Sequence, residues 1–319
     1  VCSAMNRMVS TVKHSKISVI IPSWNEEGNI KPMYEALTRT LSALPNSYEI
    51  IFVNDGSSDG TENAINTIAR LDKHVIPVHF QRNFRKAAAY MAGFKHATGD
   101  IIVTMDADLQ DDPAEIPRFL EALKQFDLVV GWKYNRKDPS ITKKIPLKIF
   151  NLLNRWLFGL TLHDSDCGFR AMKVHVAKGL NLYGDVFRYI PALVKRQGFS
   201  VGEIKVQHHE RRWGKSKYGF KRLLTGPFDL LTIKFMTEYN QRPLHLFGLG
   251  GLFFFSIGFI VGLYLLYVKY VRGDLLTPRT PLMLFSILLI VLGIQLVGIG
   301  LIGEMIASQQ KDERFIIKK

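Results

Sequence analysis

Cysteine is close to absent: Cys2 and Cys167 are the only two in 319 residues. Two cysteines cannot build a disulfide framework, and a reducing compartment is the expected setting. No G-x-G-x-x-G follows the first apolar strand-like run and no Walker A loop occurs anywhere. Dinucleotide and P-loop chemistry are therefore disfavoured. The first sixteen residues are polar and basic and hold no apolar stretch, so no signal peptide is expected in them. The N-terminal part also lacks any basic excess. Residues 1–130 carry 13 Lys+Arg against 16 Asp+Glu, whereas 131–243 carry 22 against 8 and 244–319 carry 7 against 4. The middle third thus accounts for the net charge of +14. Such a block points to nucleic acid or to an anionic membrane surface.

The sequence that follows the block decides for the membrane and against nucleic acid. Residues 244–268 run 25 positions without a charge, with His245 as the one ionisable group. Residues 282–303 run 22 positions, interrupted by Ser286 and Gln295. Each exceeds the roughly 20 residues a helix needs to cross a bilayer. The short link at 269–281 makes them a transmembrane hairpin with both chain ends on one side. By the positive-inside rule, the basic block and the basic tail at 304–319 put that side in the cytoplasm. Gly258 and Gly262 form a G-x-x-x-G that suits close helix packing.

With 47% hydrophobic residues the remaining chain can bury a core, and its length allows about two domains. Its most informative stretch is residues 101–113, IIVTMDADLQDDP. Ile101, Ile102 and Val103 read as a buried parallel strand. Asp106 and Asp108 follow where that strand runs out, and Asp112 reads as the N-cap of a helix begun by Pro113. Open α/β sheets bind ligands at such strand ends. Two carboxylates one residue apart can hold a hard divalent cation, which in turn grips a diphosphate. Further strands are expected at 17–21, 48–53, 75–80 and 127–131, with helices through about 44 and over 84–97. Alternation at this spacing gives an α/β, doubly wound, mainly parallel sheet. Asp59 can cap the helix after strand two, with Gly56 and Gly60 permitting tight turns. Asp55 has no such structural job and is free to accept hydrogen bonds from a base or ribose. Pro22–Glu27, Asp55 and Asp106/Asp108 all fall on one edge of the sheet.

Three motifs now stand in order: Ile20-Ile21-Pro22 with Asn25-Glu26-Glu27, the run Val53-Asn54-Asp55-Gly56-Ser57-Ser58-Asp59-Gly60-Thr61, and Asp106-Ala107-Asp108-Leu109-Gln110. Together they resemble family 2 of the inverting glycosyltransferases, with the GT-A fold. More narrowly the chain resembles the polyprenyl-phosphate branch, relatives of dolichol-phosphate mannosyltransferase and bactoprenol glucosyltransferase. The resemblance covers the first ~220 residues and, by architecture, the hairpin. It implies a nucleotide-diphosphate sugar of the UDP-glucose or GDP-mannose type as donor. Pro22, Glu27 and Asp55 would hold the nucleoside, with Ser57, Lys86 and Gln110 also at the donor. Asp106 and Asp108 would hold Mg²⁺ or Mn²⁺ against the diphosphate, with Asp108 counted among the catalytic residues.

Two departures stand out. Close relatives read R-N-F-G-K after strand three, whereas Arg82-Asn83-Phe84-Arg85-Lys86 places arginine at the glycine. The resemblance therefore does not carry over the backbone shape there. Some relatives have aspartate directly before the F-R of the acceptor loop, where this chain has Gly168. The nearest carboxylates are Asp164 and Asp166, and Asp164 matches the mannosyltransferase spacing to Phe169.

The basic middle third fits the same picture. Residues 141–160 are amphipathic, with Ile145, Ile149, Leu152, Leu153, Trp156 and Leu160 at helical spacing and lysines elsewhere, and read as an interfacial helix. Arg211, Arg212, Lys215 and Lys217 lie within eight residues, and Gly214 and Ser216 suit a turn around a phosphate. The resemblance places the acceptor lipid phosphate there, with Arg170, Arg211, Arg212, Lys215, Ser216 and Lys217 as its ligands. Residues 220–239 read as a second interfacial helix. The expected domains are a polar tail at 1–16, a GT-A domain at 17–210, the cationic segment at 211–243, the hairpin at 244–303 and the tail at 304–319. A processive polysaccharide synthase would carry Q-x-x-R-W, which is absent here, and an idle docking protein would not need an intact D-x-D. The oligomeric state, including a homo-oligomer, is left open by the sequence.

Overall fold

A computed structural model describes residues 15–134, 159–184, 186–209, 243–273 and 275–309. The interfacial helix expected at 141–160 lies outside these apart from its last two positions. The cationic loop and the second interfacial helix lie outside them as well, and so do the terminal tails apart from residues 15–16 and 304–309, the latter continuing the last helix. The chain divides into two compact units, Val1–Asp229 and Leu230–Lys319.

The first unit is built on seven strands: β1 (Ile17–Ser23), β2 (Tyr48–Asn54), β3 (Val75–His79), β4 (Ile101–Thr104), β5 (Leu128–Lys133), β6 (Arg170–Lys173) and β7 (Val201–Val206). Their spatial order is β3-β2-β1-β4-β6-β5-β7. In β1, Val19, Ile20 and Ile21 are all fully buried. Successive side chains point to opposite faces, so both faces of this strand are covered. Helix α1 (Glu27–Ser42) buries Ile30, Met33, Leu37 and Leu41, the i, i+3/i+4 stripe of a core-facing helix. Helix α2 (Thr61–Leu71) follows β2, and α3 (Arg85–His96) follows β3. A Cβ on Gly93 of α3 would stand 2.3 Å from Ile20 Cγ2, so α3 lies directly on β1.

Every pairing is parallel except those of β6, which runs antiparallel to both β4 and β5. Neither β6 nor β7 is among the strands expected from the sequence. Arg170–Lys173 holds only two apolar residues, too few to show a period, and β7 has the interrupted burial of a sheet edge. The reversal has a consequence for the site. The strands parallel to β1 present their C-terminal ends at one edge, and β6 presents its beginning there. Thr104 pairs with Arg170, and so does Val130. The loop ahead of β6, carrying residues 163–169, is thereby delivered beside the end of β4. Smaller differences concern boundaries: β1 continues through Ser23, and β5 runs on to Lys133.

The opposite edge is pinned by one carboxylate. Glu49 Oε1 accepts from Ser18 Oγ (2.6 Å) and Thr98 N (2.7 Å), while Oε2 accepts from Thr98 Oγ1 (2.7 Å) and pairs with Lys16 Nζ (2.5 Å). Burial works against this carboxylate, but the lysine and the hydrogen bonds win, and its pKa falls to about 2.

In the second unit, α7 (Pro243–Tyr270) and α8 (Thr280–Gln309) have 28 and 30 residues. At ~1.5 Å per residue each exceeds the ~30 Å hydrocarbon thickness of a bilayer. Only 17% of each apolar window is buried, so these are not the core helices of a soluble domain. The two pack through small residues. A Cβ on Gly251 would lie 2.6 Å from Gly293 O, and one on Gly293 lies 2.7 Å from Gly251 O. Gly258 meets Ser286, whose Oγ donates to Gly258 O at 2.7 Å, whereas Gly262 has more room. Gly258 therefore behaves as its motif implied, and Gly251 and Gly293 add a contact the motif did not reveal. Among the described residues the first unit also holds three short helices, α4 (Ile116–Ala122), α5 (Val174–Lys178) and α6 (Ile190–Arg196).

The low folded-state pKa of Glu49 makes an acid-stability prediction. The group binds its proton less readily folded than unfolded, so its stabilisation is complete above about pH 4.5 and disappears as pH falls toward 2. Glu49→Gln should lower stability by about 1–3 kcal/mol near neutral pH, with a smaller deficit below pH 3. Chemical denaturation of both proteins across that range checks it, and a deficit independent of pH would count against the assignment.

Candidate active site

Three loops meet at the C-terminal edge, and the first two are laced together. Asn25 N donates to Ser57 Oγ (2.9 Å), Ser58 N to Asn25 Oδ1 (2.9 Å), and Glu26 N to Thr61 Oγ1 (2.9 Å). Glu27 N donates to Asp59 Oδ2 (3.3 Å), and Glu27 Oε2 accepts from Gly60 N (3.1 Å). Glu27 is thus an exposed carboxylate held at the loop junction, and Ser57 braces the first loop from the second. Asp59 also accepts from Thr61 N (3.1 Å), one residue ahead of the Gly60 N-cap of α2. Pro22 lies on β1, level with Val53.

Asp55 corrects an expectation. It is 4% exposed and does have a structural job: Oδ1 accepts from Phe84 N at 2.6 Å and the carboxylate also takes the Arg85 backbone N–H. It caps the start of α3 across the strand gap. Burial outweighs these bonds and raises its pKa. Gly56, at φ +62°, sits against the same segment, because a Cβ there would lie 2.3 Å from the Arg82 carbonyl carbon.

The third loop carries the central charge cluster. Lys86 Nζ, one residue into α3, lies 2.5 Å from Asp106 Oδ1. Tyr90 and Phe187 wall that ammonium at 5.6 and 5.4 Å. Burial opposes ionisation of Asp106, but Lys86, then Lys133 and Arg170, outweigh it and hold its pKa below the usual carboxylate value. Beside it, Asp108 is buried and its Oδ1 accepts from Gln110 N (3.2 Å), with Leu109 between them in the left-handed region. Asp112 Oδ1 accepts from Ala114 N (2.9 Å), capping the turn begun by Pro113 as expected. Asp111 pairs with Lys133 Nζ at 2.8 Å. Burial works against the charged Lys133, yet Asp111, Cys167 and Asp106 raise its pKa well above the ordinary value. Lys133 was missed from sequence, although a lysine ending an apolar strand obeys the rule that singled out Asp106. The burial that surrounds it pushes the Cys167 thiol to about 12, so it is an inert packing residue.

The loop ahead of β6 reaches this cluster. Thr104 Oγ1 donates to Gly168 O (2.8 Å), and a Cβ on Gly168 would fall 2.9 Å from both Asp106 carboxylate oxygens. Gly168 is therefore the residue that leaves Asp106 its space. Asp164 is 2% exposed, and Asp166 pairs with Arg188 Nε at 3.0 Å. Arg170 departs from its expected role. It is 1% exposed and donates to Phe187 O (3.0 Å) and Ser165 O (3.5 Å), bracing the loop from inside. A buried guanidinium spent on two backbone carbonyls is not placed to take a lipid phosphate. The other expected acceptor ligands, Arg211, Arg212, Lys215, Ser216 and Lys217, lie outside the described residues.

Hard oxygen donors at Asp106 and Asp108 fit a divalent cation, and the lysine on Asp106 marks the place as one that attracts positive charge. No group of three or more His, Cys, Asp or Glu disposed for a metal occurs among the described residues. A cation there would take its remaining ligands from water and substrate oxygens.

A mixed α/β sheet with carboxylates gathered at its strand ends places the molecule among the GT-A glycosyltransferase folds. Glucosyl-3-phosphoglycerate synthase of Mycobacterium tuberculosis, solved with Mn²⁺, UDP and phosphoglyceric acid, superposes with a TM-score of 0.55 over 73% of this chain and 82% of its own, at 18% identity. The chain belongs to glycosyl transferase family 2, whose sequence profile matches residues 18–180. It is 36% identical over 301 residues to the dodecaprenyl-phosphate galacturonate synthase of Rhizobium johnstonii, covering 93% of this chain and 89% of that protein. It is 37% identical over 312 residues to the undecaprenyl-phosphate 4-deoxy-4-formamido-L-arabinose transferase of Shewanella sediminis, covering 95% and 92%.

Gly168→Ala tests the packing at Asp106. The added methyl would stand against both carboxylate oxygens, so the side chain must shift, at a cost of about 1–3 kcal/mol in unfolding free energy. Denaturant titration measures it, and an unchanged midpoint would show that Asp106 has freedom the structure does not display.

Proposed function

We propose that this chain is a membrane-bound, inverting glycosyltransferase. It moves a hexose-type sugar from a nucleotide-diphosphate sugar, of the UDP-glucose or GDP-mannose kind, to polyprenyl phosphate. The observation that carries this reading is the pair of relatives above 35% identity, aligned through the hairpin as well as the sheet, both named for a polyprenyl phosphate. The charge cluster supports it, since Lys86 and Lys133 supply cations where a diphosphate would leave. The positive-inside rule favours a cytoplasmic catalytic unit.

In this reaction an oxygen of the lipid phosphate attacks the anomeric carbon from the face opposite the nucleotide. The bond from that carbon to the diphosphate breaks, and the nucleoside diphosphate departs with the electron pair. A phosphate monoester has a second pKa near ~6, so the attacking oxygen is largely anionic at neutral pH and needs no strong base. Asp164 then serves to orient the acceptor or balance its charge, and Asp166, tied to Arg188, holds the loop in shape. Lys86 stabilises charge developing on the leaving group. Mg²⁺ or Mn²⁺ held by Asp106 and Asp108 would supply further neutralisation of that charge. Arg211, Arg212, Lys215, Ser216 and Lys217 would grip the lipid phosphate, arginine bidentately and lysine as a point charge.

A panel of nucleotide sugars assayed against one short polyprenyl phosphate tests the reading. The expected product is a sugar joined to lipid monophosphate. A lengthening glycan would point instead to a polymerising synthase, and no transfer from any donor to a docking protein. Asp108→Ala should reduce transfer by about a hundredfold or more while the fold survives. Wild-type turnover in EDTA would remove the metal from the mechanism.

Arg211→Ala and Arg212→Ala should each raise the KM for polyprenyl phosphate in neutral detergent and leave that for the donor alone. General attraction to anionic lipid, worth ~1 kcal/mol per charge, would show only in anionic bilayers and fade with salt. A defect restricted to those conditions would rule out specific phosphate recognition.

A further inference from the structure

Among the described residues, three other than glycine have a left-handed backbone: Asn25 (φ 51°), Arg85 (φ 72°) and Leu109 (φ 59°). Two have a local cause. Asparagine tolerates this region, and the Asn25 side chain is fixed by Ser58 N. Leu109 is held in the turn that Gln110 N closes on Asp108 Oδ1. At Arg85 the backbone N–H is held by Asp55, but the side chain takes no part in fixing the turn. Its side chain is exposed, and its guanidinium makes no hydrogen bond or ion pair among the described residues. It also occupies the position where the family resemblance expects glycine, the residue that would adopt this backbone without strain. The chain holds an arginine in a backbone region that glycine would occupy without strain.

Strain of this kind persists where the surrounding structure over-determines it, and it clusters at functional sites. Arg85 lies between two fixed points. On one side, the Phe84 and Arg85 N–H groups are held by Asp55, at the end of β2. On the other, Lys86 reaches Asp106, beyond the end of β4. A nucleotide sugar bound across this edge would bring its anionic groups near those points.

We propose that Arg85 is a donor-binding residue whose guanidinium takes an oxyanion of the nucleotide sugar, and that its strained backbone is retained for that contact. This inference rests on the functional reading above. The oxyanion has two sources: the diphosphate common to all such donors, or the carboxylate of an acidic sugar.

The test measures binding without turnover. The full chain in neutral detergent with Mg²⁺ is titrated with UDP, UDP-glucose, UDP-glucuronate, GDP and GDP-mannose, as wild type, Arg85→Gly and Arg85→Ala. Arg85→Gly should raise the melting temperature, because it removes the strain, and yet weaken nucleotide binding about tenfold. Arg85→Ala should weaken binding equally with no thermal gain, because alanine keeps the strain. Losses as large for UDP or GDP as for the sugars assign the contact to the diphosphate. A loss confined to UDP-glucuronate assigns it to the sugar carboxylate. Equal affinities in all three proteins overturn the inference while leaving the transferase reading in place. A wild-type chain that binds nucleotide but glycosylates no polyprenyl phosphate overturns the transferase reading alone.

Discussion

Asp106 is a half-buried carboxylate whose charge burial opposes and three cations sustain, and the site is arranged around that balance. Its carboxylate is kept charged by Lys86 from α3, by Lys133 from β5 and by Arg170 from β6. Three elements distant in sequence must therefore converge on the end of β4. Asp111 keeps Lys133 charged in its turn, so the acidic run after β4 and the cation at the end of β5 hold each other in place. Gly168 leaves the carboxylate room, since any larger side chain would stand against both oxygens. The cluster is a set of mutually dependent charges, each of which would be expensive to bury alone.

That convergence requires the reversed strand. A sheet with β6 parallel would deliver its preceding loop to the far edge, where Glu49 ties β1, β2 and the approach to β4 together. With β6 antiparallel, the Asp164–Phe169 loop reaches the edge that carries Asp106, and Thr104 and Arg170 lock it there. The two edges thus divide the labour. One is closed by a fully satisfied carboxylate and serves stability. The other keeps charge and strain, as functional sites do.

The hairpin follows different physics. Its outward faces are apolar and bare, and within it the helices meet through Gly251, Gly258 and Gly293, where backbone approaches backbone. In lipid, burial of apolar surface offers no advantage to one helix face over another, and close packing of small residues brings helices together.

The local signals were legible in the sequence wherever chemistry and periodicity coincide. The apolar runs predicted β1 to β5, the acidic stretch predicted the end of β4 and the cap at Asp112, and the long uncharged segments predicted α7 and α8. The three motifs placed the family. Other features depended on residues far apart in the chain meeting in space. Asp55 looked free because its partners, Phe84 and Arg85, lie thirty residues on and are brought to it only by the pairing of β2 with β3. Arg170 looked like a phosphate ligand because its burial depends on β6, a strand too short to show a period. Arg85 announced itself as an anomaly of composition, but its left-handed backbone exists only in the folded chain. Residue types and their local spacing determined which chemistry this protein can carry. Which of those residues are free to carry it was decided by tertiary structure, because a side chain's availability depends on what else is packed against it.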